Sequence, residues 1–233
     1  MSTILHIKLL GDFSLIYGDT PVTTLNTGRS QALLAYLVLH SYTPQPRQRV
    51  AFQLWADSTD TQARANLRKE LSYLRRALPD ADQFLLIDVK TLQWHLQAPF
   101  TLDVLLFEQA VKKALQTTDV QTRRSTLEQA IELYRGDLLP DCTDEWILPE
   151  RERFQQLRVQ ALEQLIALLQ DEQDYRTAIR YAKDLLRIDG LNEATYCTLI
   201  RLYGLSGDRA NALQIYHRCM TELREELGID PSP

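Results

Sequence analysis

The sequence predicts a mostly α-helical protein with a small β part, divided near residue 98 into two domains. Three observations carry this. Short apolar runs separated by Gly-Asp turns open the chain, a basic amphipathic helix follows at residues 61–78, and a helical pattern repeating every 34 residues fills the second half. The 233 residues leave room for two small domains, and 45% hydrophobic content suits proteins that bury a core.

The opening runs are Leu5 to Leu10, Phe13 to Tyr17 and Pro21 to Leu25, separated by Gly11-Asp12 and Gly18-Asp19-Thr20. Such pairs mark tight turns, so a small antiparallel sheet is expected. A helix is expected from about Gly28 to His40, buried through Leu33, Leu34, Leu37 and Val38, and broken at Thr43-Pro44-Gln45-Pro46. A second runs from Arg47 to Trp55, and the Asp57-Ser58-Thr59-Asp60 turn caps the third. Phe84 to Asp88 and Leu92 to Leu96 flank Val89-Lys90-Thr91 as a hairpin. Strands, two helices, a basic helix and a hairpin follow the order of a winged helix-turn-helix, with the basic helix in the reading position.

In the third helix, Leu67, Leu71, Leu74 and Leu78 fall within about 60° of one another at ~100° per residue. Arg64, Arg68, Lys69, Ser72, Arg75 and Arg76 spread over the next ~140°, with Asn66 and Glu70 on the opposite flank. A helix held by a leucine stripe and presenting cations fits a DNA major groove, although most charge-rich helices are only solvated faces. Residues 1–98 carry ten Lys/Arg against eight Asp/Glu, a net +2, whereas residues 99–233 carry sixteen against twenty-three, a net −7. The basic end is therefore the expected working end.

Helices are expected near 103–116, 121–135, 146–170, 175–187, 192–205 and 209–226. Leu165, Leu168, Asp174, Tyr175, Ala178 and Ile179 match Leu199, Leu202, Asp208, Arg209, Ala212 and Leu213, each pair 34 residues apart. That is the period of tetratricopeptide helix hairpins, with Asp174 and Asp208 at N-cap positions. A looser copy surrounds Leu127, Ala130 and Ile131, followed by an insertion at 136–149. Trp146 and Tyr134 are expected to pack between the two domains, with a partner anchor as the alternative.

No catalytic, cofactor or metal site is expected. The sequence shows no GxxxxGK[ST] and no G-x-S-x-G. Cys142, Cys197 and Cys219 form no CxxC, and His6, His40, His95 and His217 share no ligand spacing. No apolar run reaches ~18 residues and the N-terminus does not resemble a secretory signal, so a cytoplasmic protein without a membrane span is expected.

The segments ELYRGDLLPD (132–141), ERERFQQLRVQALEQL (150–165) and NALQIYHRCMTELREELGIDPSP (211–233) resemble the bacterial transcriptional activator domain of the Streptomyces antibiotic regulatory protein family. RSQALLAYLVLHS (29–41) and RANLRKELSYLRRAL (64–78) resemble the first and recognition helices of its OmpR-type winged helix. Leu102-Asp103 and Phe107 match the step between the domains. The hairpin lacks the family's Pro-Gly-Tyr, and Lys69 and Glu70 stand where the family is often apolar or uncharged.

The resemblance implies an OmpR-type DNA-binding domain at 1–98 and an activator domain of tetratricopeptide-like repeats at 99–233. It implies a transcriptional activator that binds double-stranded DNA and uses its repeats for dimer contact, for contact with RNA polymerase, or for regulatory restraint of the DNA-binding domain; the small interface of one module favours a homodimer on repeated half-sites, and the absent motifs make an enzyme unexpected. Arg68, Lys69, Ser72 and Arg76 are expected to enter the groove. Arg64, Arg75, Arg47 and Arg49 are expected at phosphates, and Lys90 is the hairpin's one cation. Tyr73 is expected to pack rather than to reach a phosphate. The alternative is a signalling or scaffold module whose winged helix no longer reads DNA, suggested by the acidic total, the sparse hairpin and Glu70.

Overall fold

In a computed structural model, which describes residues 3–230, the chain begins with two antiparallel strands, β1 (Leu5–Lys8) and β2 (Ser14–Tyr17), joined through Gly11. β3 (Thr20–Pro21) pairs with β2. Three helices follow: α1 (Gly28–Leu39), α2 (Arg47–Leu54) and α3 (Asp60–Ala77). A two-residue strand, β4 (Gln45–Pro46), precedes α2, and one helical turn, α4 (Ala81–Phe84), follows α3. The hairpin is β5 (Leu85–Ile87) and β6 (Thr91–Trp94), with Ile87 opposite Leu92, and β4 pairs on the outer side of β6. The ending Pro231-Ser232-Pro233 lies outside the described residues.

The strand β7 (Phe100–Leu102) had no sequence signal beyond three residues, yet it completes the first sheet by lying parallel to β1. The helices α5 (Asp103–Gln116) and α6 (Val120–Leu133), the short turn Glu145–Ile147, and α7 (Leu148–Asp171) follow. The helices α8 (Tyr175–Ile188), α9 (Glu193–Leu205) and α10 (Arg209–Leu227) end the described chain. By compactness the chain forms two units, one of residues 1–107 and 133–155, the other of residues 108–132 and 156–233.

The first unit owes much of its closure to residues 99–155. Asp103, at the start of α5, is buried, and its carboxylate accepts hydrogen bonds from the N–H groups of Leu9 (2.9 Å), Leu10 (2.9 Å) and Val104 (2.8 Å). Burial pushes this carboxyl up, while the N–H groups of Leu10, Leu9 and Val104 and the Lys8 charge pull it back. One turn on, Phe107 is fully buried with its ring 5.5 Å from that of Tyr134 and 6.3 Å from that of Phe154. The Leu-Asp-x-x-x-Phe spacing thus places an acceptor for the β1 end and a core aromatic on one helical face.

Residues 135–151 close over the turn between β1 and β2. Gly11 donates its N–H to the Asp137 carbonyl, and Leu139 donates to the Leu9 carbonyl. Leu138 and Leu139 are buried, and the Arg151 guanidinium donates to the carbonyls of Leu138, Leu139 and Cys142. A Cβ on Gly136 would sit 3.1 Å from the Gly11 Cα, so any larger residue there has to push the two backbone segments apart by a few tenths of an ångström. Gly136→Ala is expected to lower stability by about 1–3 kcal/mol through this overpacking, read as an earlier urea midpoint with an unchanged slope. Trp146 meets Tyr36 edge-on at 5.2 Å, and Asp144 pairs with Arg29 at 2.8 Å, so both Trp146 and Tyr134 serve as packing residues within this unit.

In the second unit, α9 packs against both α8 and α10. Asp174 and Asp208 are the N-caps of α8 and α10, accepting from the N–H groups of Thr177 (3.3 Å) and Asn211 (3.1 Å). Burial pushes the Asp174 carboxyl up, but Thr177 and the Arg124 guanidinium together hold it below its usual range, and hydrogen bonds from Asn211 do the same for Asp208. Arg124 of α6 ties itself to Glu128, Glu172 and Asp174, fixing α6 to the turn between α7 and α8. Among the described residues no helix is long and apolar enough to cross a membrane.

Candidate nucleic-acid interface

The third helix is held from behind. Ala63, Leu67, Leu71 and Leu74 are its buried stripe. Thr59 caps its start by accepting from the Gln62 N–H, Asp60 lies in the first turn, and Arg75 and Arg76 lie in the last. This charge order complements the helix dipole. Glu70 accepts from the Ser30 hydroxyl at the start of α1. Tyr73 donates to the Thr24 carbonyl at 2.5 Å, and Thr24 donates to the Ala77 carbonyl at 2.8 Å. At the far end Asp80 adopts φ +48° and accepts from the Tyr17 hydroxyl at 2.5 Å, which raises the phenol.

Glu70 and Tyr73 therefore face the body of the unit, not the cationic side. Glu70→Ala is expected to cost about 1 kcal/mol of stability by removing the charged acceptor of the Ser30 hydroxyl, which keeps only its contact with the Thr27 hydroxyl, with DNA affinity unchanged. Denaturation and a DNA titration of the same preparation check the two halves of that expectation.

The opposite side of α3 is open. Two adjoining shallow depressions cover it. One is lined by Arg47, Gln48, Arg64, Arg68 and Lys90, the other by Arg47, Arg68, Ser72, Arg75 and Arg76. No carboxylate lines either. Arg64 is paired with Asp60 at 3.0 Å and Arg75 with Asp82 at 2.6 Å, both pairs well exposed. Exposed pairs are worth ~0–1 kcal/mol, so either arginine can exchange its carboxylate for another anion at little cost. The Nε of Arg68 donates to the Arg64 carbonyl and that of Arg76 to the Ser72 carbonyl, and neither guanidinium forms an ion pair among the described residues.

The hairpin forms one wall. The Arg47 N–H donates to the Lys90 carbonyl at 2.9 Å and its guanidinium to the Asp88 carbonyl at 3.0 Å, which fixes the hairpin tip to the start of α2. Of the nine residues expected from sequence, seven line the depressions: Arg47, Arg64, Arg68, Ser72, Arg75, Arg76 and Lys90. Lys69 is exposed but lines neither, and Arg49 lies beside the Tyr36 hydroxyl instead. Sequence reasoning missed Gln48 and the hairpin's Ile87 and Val89, the last 87% exposed. An exposed valine in a turn carries no periodic signal.

A model of the bacterial transcriptional activator domain matches residues 102–233. Regulatory protein AfsR of Streptomyces coelicolor is 28% identical over 221 residues, covering 90% of this chain and 22% of AfsR. Transcriptional regulatory protein EmbR of Mycobacterium bovis is 27% identical over 249 residues, covering 98% of this chain and 61% of EmbR. A solved structure of Mycobacterium tuberculosis EmbR in complex with a low affinity phosphopeptide matches with a TM-score of 0.80 at 24% identity, covering 99% of this chain and 62% of that one. This last likeness concerns the fold. The chain thus spans about a fifth of AfsR and about three-fifths of EmbR.

Proposed function

The chain belongs to the bacterial transcriptional activator domain family, within the Streptomyces antibiotic regulatory protein group of transcriptional regulators, and from that premise we propose that it is a sequence-specific DNA-binding activator. Residues 1–98 act as an OmpR-type winged helix and residues 99–233 as a tetratricopeptide-like activator domain. The function is binding, not catalysis. The observation that carries it is the carboxylate-free trough of Arg47, Arg64, Arg68, Arg75, Arg76 and Lys90 over a rigidly backed α3.

In this reading α3 enters the major groove. Arg68 and Arg76, free of ion pairs, reach base edges together with Ser72, and Lys69 follows at the margin. Arg64 and Arg75 exchange their carboxylates for phosphates, and Arg47 and Arg49 approach the backbone beside α2. Lys90 and the apolar hairpin tip lie along the neighbouring sugar-phosphate edge. One such module buries ~600–1,000 Å² of protein surface, which favours two copies on repeated half-sites. The helical repeats then contact the second copy or RNA polymerase.

Selection from a randomised duplex library tests this reading. Recovery of a repeated motif spaced by one helical turn, ~10 base pairs, supports it. Recovery of unrelated sequences after several rounds contradicts it.

A further inference from the structure

Residues 99–233 carry a net −7, yet one helix among them presents only positive charge. Every exposed residue of α8 is a cation: Arg176, Arg180, Lys183 and Arg187. At ~100° per residue the four fall within about 60° of one another. Ala178, Tyr181, Ala182, Leu185 and Leu186 are buried on the opposite face. The row covers eleven residue steps, ~16 Å of helix.

Folding does not explain this row. Arg176 lies in the first turn, at the positive end of the helix dipole, where a cation is disfavoured. Neighbours along the row are three or four residues apart, the spacings at which like charges repel. Arg187 alone complements the dipole, and it pairs with Asp184 on exposed surface. Arg176, Arg180 and Lys183 form no ion pair among the described residues, whereas Arg124, Arg218 and Arg224 of the same unit are paired. The Arg180 guanidinium lies 4.7 Å from the centre of the Tyr181 ring, and the Lys183 ammonium 5.6 Å from that of Tyr203. Those contacts use ring faces and leave N–H donors for an anion. The repeat pattern does not explain the row either. Thirty-four residues on, the matching positions of α10 are Ala210, Gln214, His217 and Thr221.

The face offers no exposed apolar or aromatic side chain, the groups that anchor protein–protein interfaces. Protein–DNA interfaces are instead polar and strongly cationic, and phosphate contacts need no apolar core. Duplex DNA carries one phosphate per ~1.7 Å of axis, so a row ~16 Å long passes about nine, more than two per cation. We infer that the outer face of α8 binds the phosphate backbone of double-stranded DNA, as a sequence-independent contact separate from that of α3. The inference rests on the DNA-binding reading above, which supplies the polyanion, and adds a second contact surface to it.

The test uses the full chain with a duplex of about six helical turns, ~60 base pairs, from upstream of the protein's own gene, and a scrambled duplex of equal length. Fluorescence anisotropy across a salt series compares the parent with Arg176→Gln/Arg180→Gln/Lys183→Gln/Arg187→Gln. In the variant the slope of log affinity against log salt is expected to flatten by about 2–4, at ~0.9 per phosphate released. At ~0.1 M salt affinity is expected to fall at least tenfold and equally for both duplexes, so the preference for upstream DNA stays as in the parent. Arg176→Gln/Arg180→Gln alone is expected to give about half the change in slope. A urea midpoint at or above that of the parent is expected, because like-charge neighbours are removed. An unchanged slope in the folded variants overturns the inference, as does loss of the preference rather than of affinity. An unchanged slope together with saturable binding of a glutamate-rich helical peptide overturns it in favour of an acidic protein partner. If the parent shows no preference between the duplexes while the α8 variant still flattens the slope, the α3 reading fails and the α8 contact stands. A parent that binds neither duplex overturns both.

Discussion

A chain ending at residue 98 is expected not to fold cooperatively, whereas a chain ending at residue 155 is expected to recover the fold of the first unit. Residue 98 is where the sequence changes from mixed strand and helix to helix alone. Cutting there removes β7 from beside β1, including the bond from the Leu5 N–H to the Pro99 carbonyl. It also removes Phe107, Leu138, Leu139 and Phe154, all buried within the same unit. Each fully buried apolar side chain contributes about 1.5–3 kcal/mol, so losing four approaches the entire ~5–15 kcal/mol stability of a domain. Amide NMR dispersion and a urea transition measure this. A sharp transition and dispersed spectrum for residues 1–98 would show that the clasp of residues 135–151 is dispensable.

Asp103→Ala is the point substitution expected to cost most, about 3–5 kcal/mol. Its carboxylate serves the N–H groups of Leu9, Leu10 and Val104, and the first two follow β1 where the chain turns through Gly11. Alanine leaves these buried donors without a partner, at about 1–3 kcal/mol each where water does not reach them. Asp103→Asn retains one carbonyl but aims an N–H₂ at donors, so it is expected to recover only part of the loss. A midpoint of unfolding unchanged in both variants would mean that water replaces the carboxylate freely.

The sequence made α3 legible almost to the residue, at 61–78 against Asp60–Ala77, because a four-leucine stripe and a cap sit in one continuous segment. The same periodicity separated Glu70 from the arginines, and Glu70 indeed turns to Ser30. Periodicity does not resolve the edge of a face, so it groups Lys69 with residues that line the trough. Arg49 lies outside the trough for another reason: its neighbour Tyr36 lies on a different helix. In the sequence the clasp has the look of an insertion between repeats. Its pairing of Leu10 with Leu138 joins distant parts of the chain, and no local pattern encodes such a contact. The Gly136 in ELYRGDLLPD was visible in the sequence, but its reason, the approach of Gly11, required the fold.

On the proposed function, the open face of α3 binds DNA through Arg68 and Arg76. Fluorescence anisotropy across a salt series, with DNA from upstream of the protein's own gene and with scrambled DNA, measures it on the parent and on Arg68→Ala/Arg76→Ala. Tight binding to the upstream DNA is expected, with log affinity falling by ~0.9 per log salt for each phosphate engaged. In the variant, affinity for that DNA drops by about 2–6 kcal/mol, the sum of two base contacts at ~1–3 kcal/mol each, and the preference over scrambled DNA disappears. Equal, weak binding of both DNAs that is the same in parent and variant would contradict it.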